Sequence, residues 1–315
     1  MSLSKRILKG DIRAASKLMR DADDQIPTAI KVLKELYPQT GKAYVIGITG
    51  VPGSGKSTIV DKMAEIFRKE GKTVGILAVD PTSPFTGGAI LGDRIRMQRH
   101  TTDEGVFIRS VATRGCLGGL SRSTQDIISV MDAMGKEIIL VETVGVGQDE
   151  VEIVNTAHTS IVILVPGLGD DIQAIKAGII EIADVFVINK ADHSGTDKVE
   201  QDIRLALEMG RRKDNGWYPE IFKTEAITGK GIRELVQGVY CHRRVLEQSE
   251  MLERKLKERA KNTLLGILKS EVTNHFLARM EQKGEWESII NDLAKRRKDP
   301  YSVVEKILAE ELRDP

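Results

Sequence analysis

Short apolar runs separated by amphipathic stretches dominate the middle of the chain. The runs cover residues 43–48, 73–79, 106–111, 137–141, 160–165, 185–188 and 221–224. Several are continuous rather than alternating, as in strands covered on both faces. The helical stretches between them predict β-α-β units and a mainly parallel sheet with helices on both faces. Before this region, Leu8, Ile12, Ala15 and Met19, then Ile26, Ile30, Leu33 and Tyr37, recur at helical spacing. Breaks at Gly10-Asp11 and at 24–27 divide the segment into two or three short helices. After it, residues 246–315 are rich in Leu, Glu, Lys and Arg, with no proline in 251–280. That pattern predicts long helices and a helical tail around 286–312. Three regions follow: N-terminal helices (1–42), an α/β domain (43–245) and a helical extension (246–315). The extension reads either as a packed helical subdomain or as a dimerisation arm.

Composition narrows the class. Of 315 residues, 41% are hydrophobic and 30% charged, with a net charge of +1. Such a balance does not point to a nucleic-acid or membrane surface. No apolar run approaches the ~20 residues that span a bilayer. The first residues lack the apolar core and cleavage site of a signal peptide. Two cysteines, Cys116 and Cys241, lie far apart. They form neither a disulfide framework nor a metal cluster, and a cytosolic protein is expected.

Residues 50–57, GVPGSGKS, fit G-x-x-x-x-G-K-[ST]. The motif follows an apolar run and opens an amphipathic helix at 57–70, as a phosphate-binding loop requires. Its glycines let backbone N–H groups turn inward, Pro52 stiffens the loop, and the helix N-terminus adds its dipole. Lys56 is expected at the β- and γ-phosphates and the Ser57 hydroxyl on Mg²⁺. The phosphate contacts therefore fall on Gly50, Val51, Pro52, Gly53, Ser54, Gly55, Lys56, Ser57 and Thr58.

The base is read elsewhere. Asn189-Lys190-Ala191-Asp192 follows an apolar run, where GTPases carry N-K-x-D. A carboxylate at Asp192 can accept from guanine N1–H and the exocyclic amine together, whereas adenine offers it a lone pair. Such a polar mismatch discriminates strongly. Lys190 can lie against the base plane. A third element, Glu225-Ala226-Ile227, follows the next run, where GTPases usually have S-A-x and a backbone N–H meets guanine O6. Here Glu225 replaces the Ser.

The run 137–141 ends at Glu142-Thr143-Val144-Gly145, the Walker B position with Glu for the commoner Asp. Glu142 can hold Mg²⁺ directly or through water, and Gly145 can present its N–H to the γ-phosphate. Asp80 and Asp93 are further candidates for the metal or its waters. Their alternative reading is a turn residue and a helix-surface charge. Gln148 lacks the spacing of a water-positioning glutamine.

These residues resemble the MeaB/ArgK family, the GTPase chaperones of methylmalonyl-CoA mutase. The resemblance covers nearly the whole chain. It rests on LYPQTGKAYVIGITGVPGSGKST, VDPTSPFTGGAILGDRIRM, TRGCLGGLS, ETVGVGQDE and PGLGDDIQAIKAGIIEIAD. It implies that Asp80, Asp93 and Glu142 are Mg²⁺ and switch carboxylates, and that 142–150 is a switch. It implies that 169–176 is a further switch loop touching the mutase. It also implies homodimers through C-terminal arms, and gating of adenosylcobalamin at an acyl-CoA mutase. Glu225 is a departure from the family pattern.

The expected reaction is GTP + H₂O to GDP + phosphate, slow alone and stimulated by a partner. Lys56, Asp80 and Lys176 are the catalytic candidates, Lys176 either as a charge brought to the phosphates or as a solvated helix-start residue. Two rivals remain. A metal-insertion GTPase of the urease or hydrogenase type would want a Cys/His cluster. A transport-linked kinase would need an acceptor pocket and would prefer ATP.

Overall fold

A computed structural model describes residues 1–80, 100, 102–112, 122–143, 156–167, 179–209 and 216–311. Three helices open the chain, α1 (Leu3–Ile7), α2 (Ile12–Asp23) and α3 (Pro27–Leu36). Asp11 caps α2 by accepting from Ala14 N–H at 3.0 Å. Pro27 starts α3, where a missing N–H is harmless. The α/β part runs β1 (Tyr44–Gly50), α4 (Lys56–Lys69), β2 (Val74–Asp80), β3 (Val106–Ala112), α5 (Arg122–Ala133) and β4 (Ile138–Glu142). It continues with β5 (Thr159–Leu164), α6 (Ile179–Ile182), β6 (Val185–Asn189), α7 (Thr196–Met209), β7 (Glu220–Thr224) and α8 (Ile232–Gln248). Last come α9 (Met251–Gln282), α10 (Trp286–Ala294) and α11 (Pro300–Glu311).

Seven strands form one sheet in the order β3-β2-β4-β1-β5-β6-β7, every pair parallel. The strands match the seven apolar runs to within two residues. Neighbouring residues of a strand point to opposite faces, and two cores result. Val45, Leu77, Ile139 and Val141 pack with α1, α2, α3 and α5. Ile46, Ile76, Leu140 and Ile163 pack with α4 and α8, where Met63, Phe67 and Leu235 are fully buried. Each such side chain contributes about 1.5–3 kcal/mol. A smaller cluster joins Val162, Phe186 and Ile188 to Val199 and Ile203 of α7. Asp132 of α5 accepts from the N–H groups of Lys42 and Ala43, at 3.2 and 3.1 Å, which ties the end of the N-terminal segment to the α/β part.

The chain divides into two compact units, Met1–Arg259 and Ala260–Pro315, so the boundary falls inside α9. The root of α9 belongs to the first unit. There Lys255 Nζ donates to His158 O at 2.9 Å and pairs with the buried Asp184 carboxylate at 3.3 Å. In the second unit, Phe276, Met280, Trp286, Ile289, Leu293 and Val303 line an apolar groove of about 420 Å³. Among the described residues, no helix is long and apolar enough to cross a membrane.

Candidate nucleotide site

The strand order sets the place of the site. From β1 the chain moves to β2 on one side of the sheet, and from β4 to β5 on the other. Connections that diverge in this way leave a crevice at the carboxyl ends of the strands. Gly50, Glu142, Asn189 and Thr224 end β1, β4, β6 and β7 along this edge. Glu142 lies in register with Ile48, Gly50 with Ile163, and Asn189 with Thr224.

The loop between β1 and α4 depends on its glycines. Gly50 has φ +145°, and a Cβ there would lie 2.2 Å from Ile163 O. Gly55 has φ +91°, and its Cβ would lie 2.3 Å from Asn189 Nδ2. Only glycine meets both demands without strain. The side chain of Lys56 folds back over the loop, and Nζ donates to Gly50 O at 2.8 Å and Val51 O at 3.2 Å. Its residue is buried. These carbonyls hold the ammonium at the mouth of a loop whose helix N-terminus favours an anion. Thr58 is half-buried in the first turn of α4.

Beside the loop, Ser57 Oγ donates to Glu142 Oε1 at 2.6 Å, both residues being buried. A hydroxyl and a carboxylate are hard oxygen donors, the chemistry that suits Mg²⁺. The pair fits such an ion, which takes few protein ligands alongside phosphate and water. Thr143 supports the strand end, its N–H donating to Ile48 O at 3.0 Å and its hydroxyl to Thr49 Oγ1 at 3.0 Å. Among the described residues, no group of three or more His, Cys, Asp or Glu is placed to hold a metal. The side chain of Asp80, and Asp93, Gly145, Gln148 and 169–176 with Lys176, lie outside the described residues.

Asn189 joins the phosphate and base halves. Its Nδ2 donates to Ser54 O at 2.8 Å, and its Oδ1 accepts from Thr224 Oγ1 and Ala226 N–H, each at 3.1 Å. The side chain is therefore satisfied from three directions and cannot rotate without breaking a buried bond. Lys190 has φ +56°, in the left-handed region that a non-glycine residue seldom adopts. Ala191 N–H donates to Thr224 O at 3.0 Å, locking this turn to β7. Asp192 beyond it is exposed, 3.8 Å from His193 Nε2. Ala226 is buried, while Ile227 next to it is 90% exposed. Glu225 pairs with Lys230 at 2.6 Å within its own turn.

The structure thus brings together the expected residues of 50–58, Glu142, 189–192 and 225–227. Reading by motif passed over Thr224, whose hydroxyl braces Asn189, and Thr49 with Thr143. It also passed over Lys230, the counter-ion of Glu225. For Thr224 the signal was present, since it sits at the strand end before the motif. For Lys230, an acid in place of Ser was the one hint.

Comparison with known proteins agrees with this geometry. Residues 16–281 match the family described as Methylmalonyl Co-A mutase-associated GTPase MeaB. A relative from Pyrococcus abyssi, whose name carries the word GTPase, is 50% identical over 310 residues, 98% of this chain and 95% of its own. The GTPase ArgK of Escherichia coli is 34% identical over 281 residues, 87% of this chain and 85% of its own. A crystal structure of an LAO/AO transport system kinase, 24% identical, superposes with a TM-score of 0.73 over 99% of this chain and 96% of that one, which establishes the shared fold. The chain belongs to the MeaB family of methylmalonyl Co-A mutase-associated GTPases.

Proposed function

We propose that this chain is a Mg²⁺- and GTP-dependent switch protein. In this reading it is a chaperone that gates adenosylcobalamin loading of an acyl-CoA mutase, first of all methylmalonyl-CoA mutase. The observation that carries the nucleotide reading is the Asn189 bridge between Ser54 O and the 224–226 turn. It ties the phosphate loop to the base turn through one side chain. The mutase reading is supported by the family description, and a cytosolic setting by the two widely spaced cysteines.

In this reading Lys56 leaves the carbonyls of Gly50 and Val51 and turns to the β- and γ-phosphates. The loop N–H groups hold the β-phosphate. Asp192 selects guanine, Lys190 covers its ring, and the turn at Glu225, Ala226 and Ile227 closes the pocket around the base. Ser57 and Glu142 hold Mg²⁺, with Asp80 and Asp93 on the ion or its waters. Mg²⁺ there supplies charge neutralisation for the transferring phosphoryl group. Water attacks the γ-phosphate, and GDP and phosphate are the products. Positioning and charge do most of this work, and residues 50–58 offer no arginine finger, so the rate without a partner is slow.

The partner acts through 169–176, where Lys176 brings a positive charge to the phosphates once the loop is held. A free lysine carries roughly 2 kcal/mol of rotamer entropy, which docking removes. The chain pairs with a second copy through 246–315. Support comes from the stripe Leu264, Leu265, Leu268 and Val272, on one side of α9 and exposed.

The test is single-turnover GTP hydrolysis with and without the cognate mutase, in wild type and Lys176→Ala. Expected are similar basal rates and loss of stimulation in the variant. Full stimulation of the variant would remove the lysine's role. No stimulation of the wild type by any cobalamin-dependent acyl-CoA mutase would remove the partner.

A further inference from the structure

Glu225 stands where GTPases usually carry Ser, and its carboxylate is tied inside its own turn. Oε1 accepts from Lys230 Nζ at 2.6 Å and Oε2 from Thr228 Oγ1 at 3.4 Å. The backbone repeats the link, since Glu225 N–H donates to Lys230 O at 3.0 Å and the two residues form an antiparallel bridge. Gly231 then turns the chain at φ +78°, where a Cβ would lie 2.1 Å from Lys223 O. The return of residue 230 onto residue 225 is thus built into the backbone. The hydrogen bond it donates to Glu225 holds the Lys230 ammonium above its ordinary range, and the charge of Asp192 acts in the same direction. Lys230 is therefore paired with Glu225 at the base end of the site.

Lys230 is 76% exposed and Glu225 half-buried at 21%. Pairs of this kind add little to stability. Its position gives it another use. Glu225 adjoins Ala226, the residue expected beside guanine O6. A bare carboxylate there would set an acceptor against the O6 acceptor. Adenine carries an amine at the same position, a donor that the carboxylate would welcome. We propose that Lys230 is a specificity-determining residue, which keeps Glu225 paired within the turn so that the pocket favours guanine over adenine. It acts through Glu225 and need not touch the base. The proposal rests on the GTP reading of the site.

The test is competition of GDP and ADP against a fluorescent guanine nucleotide. Wild type, Lys230→Met, Lys230→Arg, Glu225→Ser and the Glu225→Ser/Lys230→Met double variant are compared. Lys230→Met should lower the GDP-over-ADP preference by roughly fivefold, the weight of one exposed charge pair. The loss should shrink as salt shortens the reach of the charges. Lys230→Arg should keep the wild-type ratio, and Glu225→Ser should cancel the effect of Lys230→Met. An unchanged ratio in Lys230→Met, even with a lowered melting temperature, overturns the proposal. So does an equal loss in the double variant. A wild type with no preference for GDP overturns the GTP reading itself, a different result.

Discussion

The two compact units solve the burial problem in opposite ways. Met1–Arg259 folds a sheet between helices and buries both strand faces, with Phe67, Leu77, Ile139 and Phe186 at or near zero exposure. Among its described residues Ala260–Pro315 is built from helices, and of its described hydrophobic residues Met280, at 9% exposure, is the most buried. Leu264 remains 66% exposed and Tyr301 82%. Contiguous exposed Leu and Val side chains mark contact surfaces. The first unit holds the phosphate-loop and base-turn motifs, and the second leaves Leu and Val side chains exposed. Changes in one should therefore spare the activity of the other.

The sharpest separation is expected from Glu142→Ala. Loss of the carboxylate that meets Ser57 should lower kcat for GTP hydrolysis by about 10²–10³-fold, as for a lost stabilising group. GDP affinity should change far less, because the metal matters most where charge develops on the phosphoryl group. Assembly through the second unit should be untouched. Turnover, GDP titration and sedimentation check the three parts, and normal hydrolysis in Mg²⁺ would remove Glu142 from the metal.

The reverse experiment is Leu264→Glu with Leu268→Glu. Burying two charges in a helix contact costs several kcal/mol, so a dimer should weaken by about 100-fold or more. GTP binding by the first unit should stay within about twofold, as for independent sites. Sedimentation across a concentration series reads the first effect and nucleotide titration the second. A wild type that is monomeric throughout would break the comparison.

The smallest effect separates the units by pH. Burial, with Arg259 and Lys255 nearby, pushes the His158 imidazole down to about 3. Its Nδ1 accepts from Val45 N–H at 2.9 Å, which needs the neutral ring. The folded state thus binds fewer protons than the unfolded chain. The contribution is complete above about pH 6.5 and is lost as pH falls toward 3. Between pH 7 and pH 5 the first unit should lose about 2 kcal/mol. His158→Asn, which keeps an acceptor, should flatten that slope in denaturant unfolding. An equal slope in the variant would place the titration elsewhere.

Much of this was legible in the chain. The seven strands announced themselves because a parallel sheet covered on both faces needs continuous apolar runs, as in 138–142 and 161–165. The phosphate loop was legible because its geometry demands glycine at 50 and 55. Asn189-Lys190-Ala191-Asp192 was legible because few residue types can read guanine. Family membership followed from longer segments such as 166–184.

Other features had no local signature. The boundary between the units falls within α9, because a helix of 32 residues runs without a break from one set of neighbours to another. Spacing could not reveal that Asn189 would grip both Ser54 O and Ala226 N–H, since its partners lie 135 and 37 residues away. Nor could it reveal that Lys230 would answer Glu225 through a turn closed by Gly231. The sequence by itself determined which segments become strands, where phosphate-loop chemistry sits and to which family the chain belongs, because each depends on residue types at short spacing. Tertiary structure alone decided the strand order, the Ser57–Glu142 contact and the pairing of Glu225, because those depend on which distant segments meet across a packed sheet.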